Sequence, residues 1–148
     1  MKLFGYGTFI TNGFYKQYKN VHSAFLPGYV RIHRSEDLFP FILQVPPGMD
    51  IAGFWGLVFE VTQEELDYLD YYESRLYIRI QVDCVYKDGT KELVMTYYPK
   101  KRCITQYKLD DYISKIDPWR IKIIKEHPDI IEEFPELRLE APPRNFDG

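Results

Sequence analysis

Two segments of the chain carry residues whose types and spacing suit chemistry on a small substrate. The first is LFGYGTF, in which a short strand-like run ends in Gly5 and Gly7 on either side of Tyr6. Glycine adopts backbone conformations that other residues avoid. We therefore expect successive backbone N–H groups to turn towards a bound substrate, namely those of Tyr6, Gly7, Thr8 and Phe9. Such a cradle binds a carboxylate or a developing negative oxygen. A glycine-rich turn with a purely structural role is the alternative.

Two common phosphate-binding motifs do not explain these glycines. The dinucleotide fingerprint GxGxxG would require a third glycine where the chain has Ile10, and a helix and a parallel strand would have to follow. The phosphate loop GxxxxGK[ST] is absent from the sequence. A nucleotide-binding function is therefore disfavoured.

The second segment, LDYLDYYESRLYIR, places a carboxylate at the end of a predicted helix. Leu66, Asp70 and Glu73 fall on one side of that helix, so Glu73 continues a stripe that begins apolar. This position disfavours an ionised side chain and suits a chemical role. The alternative is a solvated helix-end residue that pairs with Arg75 or Arg79.

Three features of this segment are expected to raise the pKa of Glu73. The helix C-terminus carries partial negative charge, Asp70 lies one turn away, and the rings of Tyr71, Tyr72 and Tyr77 can exclude water. A carboxyl group with a raised pKa suits a general base that must later act as an acid.

The elements around these segments predict an α+β fold, a small mixed or antiparallel β-barrel with flanking helices. Thr62 and Glu65 form a capping-box pattern that begins a helix ending near Glu73, and a further helix is expected around residues 12–19. We expect residues 1–103 to form the barrel and residues 104–148 to form a C-terminal helical extension and polar tail within the same domain. The predicted strands cover residues 2–6, 25–33, 39–45, 53–60, 76–86 and 91–98, with turn signals at residues 27–28, 46–48 and 87–89.

Composition excludes several classes of partner. The 148 residues carry a formal net charge of -3 with no basic cluster, so neither nucleic acid nor a membrane surface is an expected partner. No run approaches the roughly 18 apolar residues of a membrane span, which predicts a soluble, cytoplasmic protein. Cys84 and Cys103 are expected to be reduced thiols, and the three histidines lack zinc-site spacing, so no metal is predicted.

The chain resembles the gamma-glutamylcyclotransferase-like family, and particularly its gamma-glutamylamine cyclotransferase branch. That family shows a strand ending in YGTL, a later strand entering GxVYxV, and an LDxxE segment followed by YxR. The matching segments here are LFGYGTF, PGYVRI, FPFILQ, GFWGLVFEVTQEELDYLDYYES and LYIR, in an order that agrees from residue 2 to residue 98. The resemblance implies a mixed barrel whose cavity cyclises a gamma-glutamyl group to 5-oxoproline and releases the attached amine, without a cofactor.

The resemblance also implies roles for individual residues. Tyr6, Gly7, Thr8 and Phe9 match the substrate-binding YGTL loop, with Phe9 in place of leucine, and Glu73 matches the catalytic glutamate. Family members commonly carry a basic residue soon after this loop, whereas here ITNG follows. The partner of any substrate carboxylate is therefore an open question.

Two further tyrosines are candidates for the pocket wall. Tyr77 and Tyr97 could contribute hydroxyl groups to substrate binding, with ordinary core tyrosines as the alternative. Three functions stay open: a cyclotransferase acting on a small-molecule gamma-glutamyl substrate, an amidohydrolase that uses the same cavity, and a non-enzymatic barrel that binds a small molecule or a protein. Neither the leaving amine nor the oligomeric state follows from the sequence.

Overall fold

In the part of the chain that the structure describes, five of the seven strands close into a barrel, and the other two form a separate two-stranded sheet. The structure is a computed structural model that describes residues 1–34, 37 and 39–146. The barrel order is β1–β5–β2–β6–β7; β1 pairs with β7 in parallel through Leu3 and Met95, and the other described barrel pairings are antiparallel. The predicted α+β barrel is thus confirmed, in its mixed form. The strands are β1 (Lys2–Gly5), β2 (Lys19–Pro27), β3 (Tyr29–Ile32), β4 (Phe41–Gln44), β5 (Gly53–Glu60), β6 (Tyr77–Tyr86) and β7 (Lys91–Pro99).

The prediction of one strand over residues 25–33 is wrong. Strand β2 begins earlier, at Lys19, and ends at Pro27, whereas β3 leaves the barrel and pairs with β4. Gly28 separates them with a φ of 79°, a left-handed conformation that glycine adopts without steric cost. The turn signal at residues 27–28 therefore marks the point where the chain leaves the barrel.

The helix expected around residues 12–19 forms only in part, as a short 3₁₀ segment. The chain instead forms a single helical turn, α1 (Thr8–Thr11), and then a 3₁₀ turn over Phe14–Gln17. Gly13 lies between them with a φ of 72°, which a continuous helix cannot contain. One turn of helix thus directly follows the glycine-containing strand end.

The capped helix α2 (Gln63–Glu73) forms as predicted. The Thr62 hydroxyl oxygen accepts a hydrogen bond from the Glu65 N–H at 3.1 Å, and the Glu65 carboxylate accepts one from the Thr62 N–H at 2.8 Å. Leu66 and Leu69 are buried, so this end of the helix is anchored on the barrel. The capping box and these leucines fix the helix and hence the position of Glu73 at its end.

The C-terminal segments pack on the outside of the barrel. Leu3 and Phe25 belong to one hydrophobic cluster with Trp119, while their strand neighbours Phe4 and Ala24 belong to a second cluster inside the barrel. Side chains alternate between the two faces of a strand, so the two clusters lie on opposite sides of the barrel wall. The helices concerned are α3 (Lys101–Gln106), α4 (Pro118–Glu126) and α5 (Pro128–Glu133).

Both cysteines, Cys84 and Cys103, are buried and unpaired in a disulfide. Among residues 1–34, 37 and 39–146, no helix has both the length and the apolar character needed to span a bilayer. The same residues contain no group of three or more His, Cys, Asp or Glu side chains arranged to hold a metal ion.

Candidate active site

One cavity lies at the end of the barrel where several elements terminate. Strand β1 ends there, and its parallel partner β7 ends nearby, while β6 runs antiparallel to β7 and therefore begins there. Helix α2 ends directly before β6. The cavity has a volume of about 210 Å³ and is lined by Phe4, Tyr6, Gly7, Thr8, Phe9, Phe39, Pro40, Tyr72, Glu73, Arg75, Leu76, Tyr77 and Tyr97.

The structure brings all the predicted site residues to this one cavity. The lining includes the four consecutive residues of the YGTF loop and Glu73 from the end of α2. The remaining two are Tyr77, at the start of β6, and Tyr97, near the end of β7. Residues separated by up to 91 positions in the chain are thus close in space.

The two loop glycines also allow close packing. Neither Gly5 nor Gly7 has a positive φ, and Gly7 has a φ of -133° with a ψ of -118°, a combination outside the main β and α regions that other residues occupy. A Cβ atom on Gly7 would lie 2.6 Å from Cγ of Pro40, and one on Gly5 would lie 2.9 Å from Cβ of Phe9. Both contacts are too short for carbon atoms, so the glycines allow close packing of the loop against its own protein.

The turn after Gly7 leaves several backbone donors available. The Gly7 carbonyl oxygen accepts hydrogen bonds from the N–H groups of Ile10 and Thr11, at 2.9 and 3.2 Å. Within the described residues, no hydrogen bond engages the N–H groups of Gly7, Thr8 or Phe9. The first N–H groups of a helical turn have no carbonyl partner inside the helix. These donors are therefore free to bind a negatively charged or polarised oxygen.

The carboxylate of Glu73 lies partly buried in the cavity without a charged partner. Among the described residues it makes no hydrogen bond and no ion pair, so the alternative in which it pairs with Arg75 or Arg79 is wrong. Arg79 instead pairs with Asp70, with 3.0 Å between Nε and Oδ1. Burial raises the pKa of Glu73 to about 7. The group is therefore able to take up and release a proton near neutral pH.

The cause of this raised pKa is only partly the one expected. Tyr71 is 81% exposed and does not line the cavity, whereas Tyr72 lines it and is 55% exposed. Asp70 is engaged by Arg79 and by the Tyr97 hydroxyl, and the shift in the pKa of Glu73 arises from burial. Tyr77, which is 7% exposed, is the one ring of the three that is buried.

The three buried tyrosines of the cavity each donate their hydroxyl proton to the protein. The hydroxyl of Tyr6 donates to the carbonyl oxygen of Tyr97 at 2.7 Å, and that of Tyr77 donates to the Pro40 carbonyl at 2.9 Å. Tyr97 donates to the Asp70 carboxylate at 2.8 Å. Burial raises the pKa of all three phenols, so they stay protonated. With their single protons engaged, these hydroxyl groups can only accept hydrogen bonds from a ligand.

A buried arginine that sequence reasoning missed holds the loop in place. Arg31 is 2% exposed, and its Nη1 donates to the carbonyl oxygen of Tyr6 at 2.7 Å. Its Nη2 and Nε donate to the two carboxylate oxygens of Asp117, at 2.7 and 3.1 Å, and its guanidinium lies 4.7 Å from the ring centre of Phe54. Asp117 also caps α4. The C-terminal extension is therefore connected to the loop through one side chain.

The unpaired carboxylate has a measurable consequence for stability. The pKa of Glu73 is about 7 in the folded protein and ordinarily 4.5, so the folded state binds this proton more tightly than the unfolded state. The favourable contribution of the protonated group is complete below pH 4.5 and is lost as the pH rises through 7. Glu73→Gln is expected to raise the free energy of unfolding by about 1–3 kcal/mol at pH 8.5 and by nothing below pH 4.5. Urea denaturation at both pH values measures this.

Glu64 offers a matched control for that measurement, because it is an exposed glutamate in the first turn of the same helix. Glu64→Gln should give no pH-dependent gain of the kind expected for Glu73→Gln. If wild type and Glu73→Gln had equal free energies of unfolding at pH 8.5, burial would not destabilise the ionised form of Glu73.

Comparison with known proteins agrees with this architecture. A solution structure of an Arabidopsis thaliana protein matches with 27% identity and a TM-score of 0.61, covering 89% of this chain and 86% of that one. A second Arabidopsis thaliana solution structure matches with 20% identity and a TM-score of 0.65 over 89% and 79% of the two chains. A mouse (Mus musculus) AIG2-like protein matches with 16% identity and a TM-score of 0.57 over 77% and 85%. A search of curated protein sequences gives no significant match.

The sequence model of one family covers most of the chain. The model described as "Gamma-glutamyl cyclotransferase, AIG2-like" matches residues 3–120, a range that holds the loop, Glu73 and the arginine–aspartate pair. The chain therefore belongs to the gamma-glutamyl cyclotransferase, AIG2-like family.

Proposed function

We propose that this protein converts a gamma-glutamyl amine or gamma-glutamyl peptide to 5-oxoproline and a free amine, with Glu73 as the general acid and base. The observation that carries the proposal is an unpaired, partly buried carboxyl group with a pKa of about 7 in the same cavity as a loop with free backbone donors. Family membership supports the same reaction class.

The reaction needs two protons to leave the attacking nitrogen, because an ammonium group with three hydrogens becomes a lactam N–H with one. The substrate's α-ammonium group gives the first proton to the Glu73 carboxylate, and the resulting amine attacks the γ-carbonyl carbon of the same molecule. Glu73 returns this proton to the leaving nitrogen as the bond between that nitrogen and the γ-carbon breaks, and the regenerated carboxylate then takes the second proton from the ring nitrogen and passes it to the released amine or to water. The pKa of about 7 suits these transfers, because the group is neither too weak a base nor too weak an acid.

The YGTF loop is the proposed site for the developing negative charge. The free N–H groups of Gly7, Thr8 and Phe9 would hold the γ-carbonyl oxygen or the substrate carboxylate. The peptide between Tyr6 and Gly7 is planar, so a Tyr6 carbonyl held by Arg31 directs the Gly7 N–H to the opposite side. The tyrosine hydroxyls, which can only accept hydrogen bonds, suit the substrate's ammonium group instead.

Positioning supplies most of the remaining rate enhancement. Both reacting groups belong to one molecule, so a cavity that bends the gamma-glutamyl chain into a ring-like geometry makes attack far more frequent. The rigid walls that serve this purpose include Pro40, which contacts Gly7 and accepts the Tyr77 hydrogen bond. The chemistry itself requires no redox step.

The pH dependence of the reaction follows from these proton positions. Glu73 must be ionised and the substrate amine protonated at the start, so kcat/KM is expected to rise with pH through about 7 and to fall again above the pKa of the substrate's α-ammonium group, which the adjacent α-carboxylate raises. Initial rates measured from pH 5 to 10 test this. A profile that is flat between pH 5 and 7.5 would exclude a base with a pKa near 7.

The proposal is tested by incubating the protein with gamma-glutamyl amines and dipeptides and quantifying 5-oxoproline and free glutamate by mass spectrometry. The expected product is 5-oxoproline with one equivalent of free amine. Free glutamate alone would indicate the amidohydrolase. A folded protein that gives neither product would favour the binding barrel.

A further inference from the structure

One cation of the cavity has no partner within the described part of the chain. Among the described residues that line the cavity, Arg75 is the single positively charged one, and it is exposed at the turn between α2 and β6. Its guanidinium makes no hydrogen bond and no ion pair with the described residues, whereas Arg31 and Arg79 are each paired with an aspartate. The Arg75 carbonyl oxygen accepts a hydrogen bond from the Arg102 guanidinium, which holds the backbone of the turn. Arg75 is therefore held at the cavity with its charge unneutralised.

The cavity has a buried end and an open end, and Arg75 lies at the open one. Phe4, Tyr6 and Tyr97 are at most 7% exposed, whereas Tyr72 is 55% exposed. The gamma-glutamyl part of a substrate must lie beside Glu73 and the loop, because the reacting atoms belong to it. The leaving amine must depart to solvent, so it extends towards the open end and past Arg75.

We propose that Arg75 selects gamma-glutamyl substrates whose leaving group carries a carboxylate, that is, gamma-glutamyl amino acids or peptides with a short leaving group. The inference rests on the proposed function of the same cavity. A planar guanidinium binds a carboxylate through two parallel hydrogen bonds, and it repels a leaving group that carries a second amine. Polyamine conjugates and neutral alkylamides are consequently disfavoured.

Among the described residues that line the cavity, Glu73 is the one acidic side chain. In the proposed reaction its carboxylate takes the substrate's ammonium proton before the attack, so Glu73 is neutral and does not repel an anionic leaving group while the new bond forms. Asp70, which lies one helical turn before Glu73, is paired with Arg79. The charge presented to the leaving group is therefore that of Arg75.

The test compares three substrates that differ at one position of the leaving group. Gamma-glutamylglycine carries a carboxylate, gamma-glutamylglycinamide is its neutral analogue, and mono-gamma-glutamyl ethylenediamine is cationic. For the wild type, we expect kcat/KM to be about tenfold higher for the acid than for the amide, and lowest for the cation. Arg75→Gln should bring the acid-to-amide ratio close to one, and Arg75→Glu should reverse it.

A matched control separates local recognition from net charge. Lys101→Gln removes the same charge from an exposed residue that does not line the cavity, and it is adjacent in sequence to Arg102. This variant should keep the wild-type ratio. An acid-to-amide ratio in Arg75→Gln that equals the wild-type ratio, in a protein with wild-type thermal stability, overturns the inference.

A binding measurement distinguishes failure of this inference from failure of the proposed function. Calorimetric titration of Glu73→Gln, and of the double variant that adds Arg75→Gln, with gamma-glutamylglycine and its amide reports the preference without turnover. A preference for the acid that disappears with Arg75→Gln supports the role of Arg75 even if no 5-oxoproline forms. Equal binding of the two ligands by Glu73→Gln, or no binding of either, overturns it.

Discussion

Glu73→Gln is expected to lower kcat for 5-oxoproline formation by about 10²–10⁴-fold, the usual contribution of a positioned general acid and base. Glutamine preserves the size of the side chain but can neither accept the ammonium proton nor return it to the leaving nitrogen. Because the variant keeps the cavity walls, KM for the substrate should change far less than kcat. Initial rates of 5-oxoproline release under saturating substrate provide the measurement.

The control for this prediction is Glu64→Gln, which makes the same chemical change at an exposed position of the same helix. Its rate should equal that of the wild type. If Glu73→Gln, folded and at the same concentration, retained activity within threefold of wild type, the carboxyl group would have no catalytic role. The predicted stabilisation of this variant at high pH makes misfolding an improbable cause of lost activity, and circular dichroism checks it.

Arg31→Met is expected to be the most destabilising single substitution considered, with a loss of about 3–5 kcal/mol in the free energy of unfolding. The Asp117 carboxylate, with 14% of its side chain exposed, would lose the guanidinium that neutralises it. The Tyr6 carbonyl and the ring of Phe54 would lose the same partner. Urea denaturation at neutral pH measures the loss.

Companion variants separate the ion pair from its effect on the loop. Asp117→Asn should also be strongly destabilising, because it leaves the buried Arg31 guanidinium without a neutralising carboxylate, although an asparagine oxygen can still accept the N–H hydrogen bonds that begin α4. The double variant Arg31→Met/Asp117→Leu should recover part of the stability, since no charge is then left buried without a partner. If the loss of stability in the double variant equalled the sum of the losses in Arg31→Met and Asp117→Leu, Arg31 and Asp117 would not interact directly.

Arg31 also acts as a positioning residue for the loop. At a temperature where Arg31→Met is fully folded, the freed Tyr6 carbonyl should allow the Gly7 peptide to reorient, and KM for the substrate should rise more than kcat falls. We propose on this basis that the C-terminal extension braces the loop through Asp117 from outside the barrel. A variant with reduced stability but unaltered KM would limit Arg31 to a structural role.

Features that depend on residues close together in the sequence are predicted better than features that depend on residues far apart. Strand β5 has the predicted bounds 53–60, and the capping box fixes α2, because both depend on residues a few positions apart. Glu73 is recognisable because a carboxylate continues a stripe that begins with Leu66. The Arg31–Asp117 pair joins residues 86 positions apart, and its only local sign is an arginine within the apolar strand YVRI.

Local patterns also mislead where tertiary contacts decide the outcome. Gly7 is needed because Pro40 packs against it, a contact between residues that no short-range pattern connects. The three adjacent aromatic or acidic residues Tyr71, Tyr72 and Glu73 point in different directions from one helix, so two of them are mainly exposed and only the third is partly buried. The helix orientation on the barrel, rather than its composition, determines which of them reaches the cavity.

The most direct test of the central claim identifies the group that attacks the γ-carbonyl carbon, which is either the substrate's own amine or water. Gamma-glutamylglycine is incubated with the protein in H₂¹⁸O, and the products are analysed by mass spectrometry. Attack by the internal amine predicts 5-oxoproline that contains no ¹⁸O, together with one equivalent of glycine. Glutamate that contains one ¹⁸O atom would show that water attacks the γ-carbonyl, and it would contradict the proposed cyclisation.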